Sequence, residues 1–126
     1  MGGRVSVEFR ERTKTFALAI VRLFSELPKS REEVRVLGRQ LLRSGTSVSA
    51  QTREAARARS DSEFCSKLEG ALQEADESQL WLELLREGCS IESPAIEHLH
   101  RETGELIAII ITIVNKTKAN SKTRQS

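Results

Sequence analysis

The sequence predicts an all-α protein, an up-and-down antiparallel four-helix bundle, and three observations lead there. Apolar residues recur at helical spacing in four separate segments. Two prolines and seven glycines in 126 residues are too few turn-formers for a β-rich chain. The breaks between segments are short, so consecutive helices should run antiparallel. One domain is expected over residues 1–118, with helices at about 5–27, 31–58, 61–87 and 94–116, and a flexible basic tail over 119–126.

The first helix follows from Phe9, Phe16, Ile20, Leu23 and Leu27, which share one face while Glu8, Arg12, Lys14 and Arg22 take others. "LPKS" closes it, because a proline disfavours helix at the residue before it. Ser30 and Glu33 then form a capping-box pattern that should open the second helix. Ser60 and Glu63 repeat the pattern for the third, whose stripe runs through Phe64, Leu68, Ala71, Leu72, Ala75, Leu82 and Leu85 to an expected C-cap at Gly88. Pro94 suits the first turn of the fourth helix, with Ile96, Leu99, Thr103, Leu106, Ile110 and Val114 facing inward. "LIAIIITIV" within it is rich in β-branched residues, but a lone strand would have nothing to pair with, so it is read as helix. That run is also far shorter than the roughly 20 residues that cross a bilayer, and no membrane partner is expected.

The second helix carries the functional information. "SGTSVSAQ", residues 44–51, looks like a loop in isolation. On a helical wheel, however, Val34, Leu37, Leu41, Val48, Thr52 and Ala55 fall within about 60°, with Ser44 and Gly45 at the border. Helical phase therefore persists through the stretch, and its small side chains are expected to let a neighbouring helix approach closely. Arg31, Arg35, Arg39, Arg43, Arg53 and Arg57 fall within about 120° on another face. Such a ridge suits a nucleic-acid backbone, since each guanidinium can grip a phosphate. The alternative is a solvated face partly neutralised by Glu32, Glu54 or acids on other helices. No aromatic residue is interleaved with the arginines, so RNA or DNA would be bound without sequence specificity and without base stacking.

Leu80, Trp81, Leu84, Ile107, Ile109 and Ile111 lie partly outside the main stripes of their helices. A helix apolar on several sides is usually buried on several sides, which predicts a homo-oligomer interface; a thick core is the competing explanation.

Other chemistry is poorly supported. His98 and His100 project from different helical faces, and the third helix has glutamates but no histidine to complete a di-metal site. "GGR" lacks the ending of a phosphate loop, and no serine or cysteine has a base beside it in sequence. No enzyme activity, cofactor or metal is expected. Cys65 and Cys89 read as free thiols, and the N-terminus has no apolar signal core, so a cytoplasmic location is expected.

Gln40-Leu41-Leu42-Arg43-Ser44, then Ser47, Glu54, Ser60, Phe64, Glu74, Glu77 and Trp81-Leu82 form a long, diffuse set of landmarks. With Phe9, Phe16 and the apolar last helix, it resembles the bacterial four-helix-bundle family of 23S rRNA intervening-sequence proteins. That group is related to the accessory variability proteins of diversity-generating retroelements. The resemblance implies a cytoplasmic, non-enzymatic bundle that assembles as a ring-like homopentamer with a basic surface suited to nucleic acid. The accessory branch also binds a reverse transcriptase, a partner that no residue here specifies. Gln51 departs from the asparagine usual in relatives, which puts the polar contact at that position in question. The rival functional reading is a protein-interaction adaptor whose arginines only solvate the surface.

Overall fold

Four helices account for nearly all of the chain: α1 (Val7–Glu26), α2 (Glu32–Ala56), α3 (Asp61–Glu87) and α4 (Pro94–Gln125). The computed structural model describes residues 5–125, with side chains as far as 123. Among these residues there is no strand, and no helix is long and apolar enough to cross a membrane. α1 packs on α2, α2 on α3 and α3 on α4, and α4 closes against α1; the α2–α3 seam is the most extensive and the α1–α4 seam the least.

The core is the set of stripes read from sequence. Phe16, Ile20, Leu41, Phe64, Leu68, Leu82, Leu106 and Ile110 are all at most 2% exposed. Buried hydroxyls inside it are satisfied locally. Thr52 donates to the Val48 carbonyl at 2.7 Å and Thr103 to the Leu99 carbonyl at 2.6 Å, the back-bonding that lets these residues sit in a helix interior.

Residues 44–51 are uninterrupted helix, and their small side chains are where neighbours come close. A Cβ placed on Gly45 would stand 2.8 Å from Ile20 Cγ1, so α1 rests directly on the α2 backbone there. On the other flank, Ser44 and Ser78 share a 2.7 Å hydrogen bond in the buried α2–α3 seam. Each hydroxyl also faces a carbonyl of its own helix, Ser78 that of Glu74 at 2.9 Å and Ser44 that of Leu41 at 3.4 Å, so either can be the donor between them. Two turns further on, Gln51 lies over Gly70, where a Cβ would stand only 2.9 Å from the Gln51 Cδ. The longer amide at position 51 is thus accommodated by a missing side chain opposite. It makes no hydrogen bond with the described residues.

Two boundaries differ from the sequence expectation, and a third keeps the expected residue in another conformation. At the start of α2 the N-cap is Arg31, not Ser30, and no side chain caps the helix. The Arg31 guanidinium is held by the Cys89 carbonyl at 2.9 Å, which fixes that residue at the helix entrance. At the end of α3 the C-cap is Gly88, as read, but in a right-handed conformation; the left-handed residue is Ser90 with φ of 57°. Gly88 serves close approach instead, since a Cβ there would meet the Leu84 carbonyl oxygen at 2.9 Å. Finally, α4 passes residue 116 and stays helical to Gln125, through most of the segment that composition marked as a tail; Ser126 lies outside the described residues. No glycine or proline follows Gly104, Thr117 is only 8% exposed, and Lys118 reaches Glu69 of α3 at 2.9 Å. By contrast the α3 entrance is as read: Ser60 Oγ accepts from the Glu63 amide at 3.0 Å, and Glu63 reaches back to the Arg59 amide at 3.0 Å.

Candidate nucleic-acid interface

The six arginines singled out from the sequence do not share one fate. Arg31 has left the ridge for the α3–α4 loop, where it also pairs with Glu33 at 2.9 Å. The Glu33 carboxyl is pulled below the ordinary carboxylate range, first by a hydrogen bond to its own backbone and then by that guanidinium. Arg35 pairs with Glu32 one turn before it, at 3.2 Å. Arg43 reaches across to α3, 3.4 Å from Glu74 and 3.1 Å from Glu77.

Arg39, Arg53 and Arg57 remain. All three are exposed, and none has an acidic partner or a side-chain hydrogen bond among the described residues. Glu54, expected as a neutraliser, is drawn away to Lys67 of α3 at 3.0 Å. The ridge therefore consists of three uncommitted guanidiniums, with Arg35 and Arg43 as flanking cations tied to carboxylates. At about 1.5 Å rise per residue, Arg39 and Arg53 stand about 21 Å apart along the axis, and Arg35 to Arg57 spans about 33 Å. Between them Thr46 turns inward on the Leu42 carbonyl at 2.7 Å, so the middle of the ridge is low.

A feature that sequence reading missed lies at the N-terminal end of the ridge. There the α1–α2 corner encloses a notch of about 370 Å³. Phe24, Leu27, Pro28 and Val34 make its apolar part, and Lys29, Arg35 and Arg39 its cationic part. Phe24 comes from α1, so a wheel of α2 alone could not reveal it. The signal was the "LPKS" turn, which folds α1 back beside the first arginines.

The six residues expected at an oligomer interface also divide. Leu80, Leu84 and Ile111 are exposed at 46%, 37% and 43%, whereas Trp81, Ile107 and Ile109 are half-buried against the bundle's own core. Val7, Leu18, Val21 and Val36 are further exposed apolar side chains that sequence reading did not single out. The Trp81 indole N–H is buried and finds no hydrogen-bond acceptor among the described residues.

The histidines do not converge: His98 is exposed, and His100 Nε2 lies 2.8 Å from Glu83 of α3. Among the described residues no group of three histidine, cysteine, aspartate or glutamate side chains is placed to hold a metal ion.

Comparison with known proteins adds two findings. The pattern described as 23S rRNA-intervening sequence protein matches residues 6–112. A solved structure from Bacteroides thetaiotaomicron VPI-5482, described as a protein with unknown function from the S23 ribosomal protein family, is similar at 36% identity. That match covers 84% of this chain and 97% of the other, with a TM-score of 0.77. No curated protein matches.

Proposed function

The chain belongs to the family of 23S rRNA-intervening sequence proteins, and from that premise we propose a non-catalytic, self-assembling bundle that holds nucleic acid by its phosphate backbone along α2. The observation that carries this reading is the set of three exposed arginines without acidic partners, Arg39, Arg53 and Arg57, on one face of a continuous helix. An arginine already paired with a carboxylate must give up that partner to take a phosphate; these three need not. The span from Arg35 to Arg57, about 33 Å, is close to one turn of duplex, so the whole face can follow a single stretch of backbone. Exposed Leu80, Leu84 and Ile111 support assembly with further copies, the family's homopentamer being the expected form. An accessory role in an rRNA-insertion or retroelement setting is compatible with such a protein.

Fluorescence anisotropy with labelled duplex RNA and duplex DNA at two salt concentrations tests the reading. Binding should weaken steeply with salt, and Arg39→Glu with Arg53→Glu should reduce both the affinity and the salt slope, the slope by at least about 1 per residue. Undetectable binding at low salt, or binding indifferent to these charge reversals, would remove it. The adaptor reading, favoured by the exposed apolar residues, predicts the reverse: Leu80→Ser with Leu84→Ser abolishes partner capture, and the arginine variants behave as wild type.

A further inference from the structure

The notch at the α1–α2 corner joins two properties that occur together nowhere else on the ridge, an aromatic wall and a cationic rim. Pro28 stops α1, and the extended backbone at Leu27 swings the chain away, leaving the last turn of α1 open beside α2. Gly38 lets that turn come close: a Cβ there would be 3.0 Å from Leu27 Cδ1 and 3.5 Å from Phe24 Cδ1. Val34 is wholly buried, and Phe24 remains half-buried at the edge of the space. The Lys29 ammonium sits 5.7 Å from the Phe24 ring centroid, and Arg35 and Arg39 line the adjoining side. Glu32, paired with Arg35, is the acidic residue bound to this rim.

A flat apolar wall inside a ring of three cations matches a flat apolar group that carries negative charge on its attachment. An unpaired nucleotide is such a group. We propose that the notch receives a single unstacked nucleobase against Phe24, with its flanking phosphates on Lys29, Arg35 and Arg39. This rests on the backbone-binding reading and sharpens it. The preferred ligand is a nucleic acid with a loop, bulge or single-stranded end next to a duplex segment, because a paired base cannot leave its stack without cost. The volume of about 370 Å³ holds one base with room for its sugar. Lys29 is exposed and reaches only a 3.4 Å contact with the Ser25 carbonyl, so it is free to move from the ring face to a phosphate.

The experiment compares three labelled ligands on the full chain: a hairpin RNA with a fluorescent adenine analogue in its loop, the matching DNA hairpin, and a fully paired duplex carrying the analogue within the stem. The hairpins should bind about tenfold more tightly than the duplex, with a change in loop-base emission on binding. The two hairpins decide between RNA and DNA. Phe24→Leu, which keeps an apolar side chain, should abolish the hairpin preference and the emission change while duplex affinity stays as in wild type. Lys29→Ala, at an exposed position where folding is not at stake, should weaken hairpin binding several-fold. Equal affinity for hairpin and duplex with unchanged emission overturns the notch while leaving the arginine ridge in place. Binding of neither overturns both. Displacement of the loop base by an acidic apolar peptide, with no gain from the hairpin over the duplex, overturns it in favour of a protein ligand.

Discussion

Gln51 and Gly70 are a matched pair across the α2–α3 seam, and each explains the other. A methyl group on Gly70 would meet the Gln51 side chain at its amide carbon, 2.9 Å away, and at its oxygen closer still. Those atoms are the end of a flexible, half-buried side chain that no hydrogen bond holds, so Gly70→Ala should push the amide aside and leave stability within about 1 kcal/mol of wild type, the better helix propensity of alanine offsetting the displacement. Shortening the amide removes the obstacle altogether, so Gly70→Ala made on top of Gln51→Asn should be at least as favourable as Gly70→Ala made in the wild type. Thermal or urea melts of the wild type, both single variants and the double variant measure the coupling. A large loss in Gly70→Ala that the double variant recovers would show that the amide is held where it lies. The departure of position 51 from asparagine was visible in the sequence, but its compensation was not, because Gly70 lies on another helix. The same limit hid the fates of the arginines. Periodicity put Arg43 and Arg53 on one face, yet only the packing of α3 shows that Glu74 and Glu77 occupy the first while Lys67 takes Glu54 from the second.

At the scale of elements, α2 is the helix around which the others are placed. Gly45 is its point of closest approach to α1, with three atoms of Ile20 within 3.2 Å of where a Cβ would be. Ile20 is fully buried and cannot swing aside, so Gly45→Ala should lower stability by about 1–2 kcal/mol net of the propensity gain. Circular dichroism melts test this, and an unchanged or raised melting temperature would contradict the close-packing account. The helices themselves were legible because 3.6-residue periodicity is a local property and four separate stripes repeat it. Ser60 was legible as a cap because nothing competes for its hydroxyl. Ser30 was misleading: an identical local pattern was displaced by a long-range bond from Arg31 to the Cys89 carbonyl. The end of α4 was misread for a related reason. Composition there is polar, but Thr117 and Lys118 have partners on the bundle that composition does not reveal.

Across the whole molecule the seams are unequal, and the lightest one, between α1 and α4, carries among the described residues an arginine clamp at its polar edge. Arg12 Nε and Nη2 both donate to Glu102 at 2.8 Å, and Nη2 also donates to Glu105 at 2.7 Å. These partners raise the pKa of an already strong base, so the Arg12 guanidinium stays protonated. With the Arg12 side chain 37% exposed, water screens the clamp, and Arg12→Ala should cost about 1 kcal/mol. The loss should be local. Hydrogen exchange should quicken in the first half of α1 and at the facing turn of α4, with α2 and α3 unaffected. Uniform acceleration across all four helices would show that α1 has no separate freedom. The unbroken run of α2 has one more consequence, for chain length. Adding a single residue between Arg43 and Arg53 would turn the far arginines by about 100° and strip Val48 and Thr52 from the core at once. Length changes there are tolerable only in steps of about seven residues, two turns, with α3 extended to match. The interval between the two arginine groups is thus a fixed measure, set in near-whole turns of the helix.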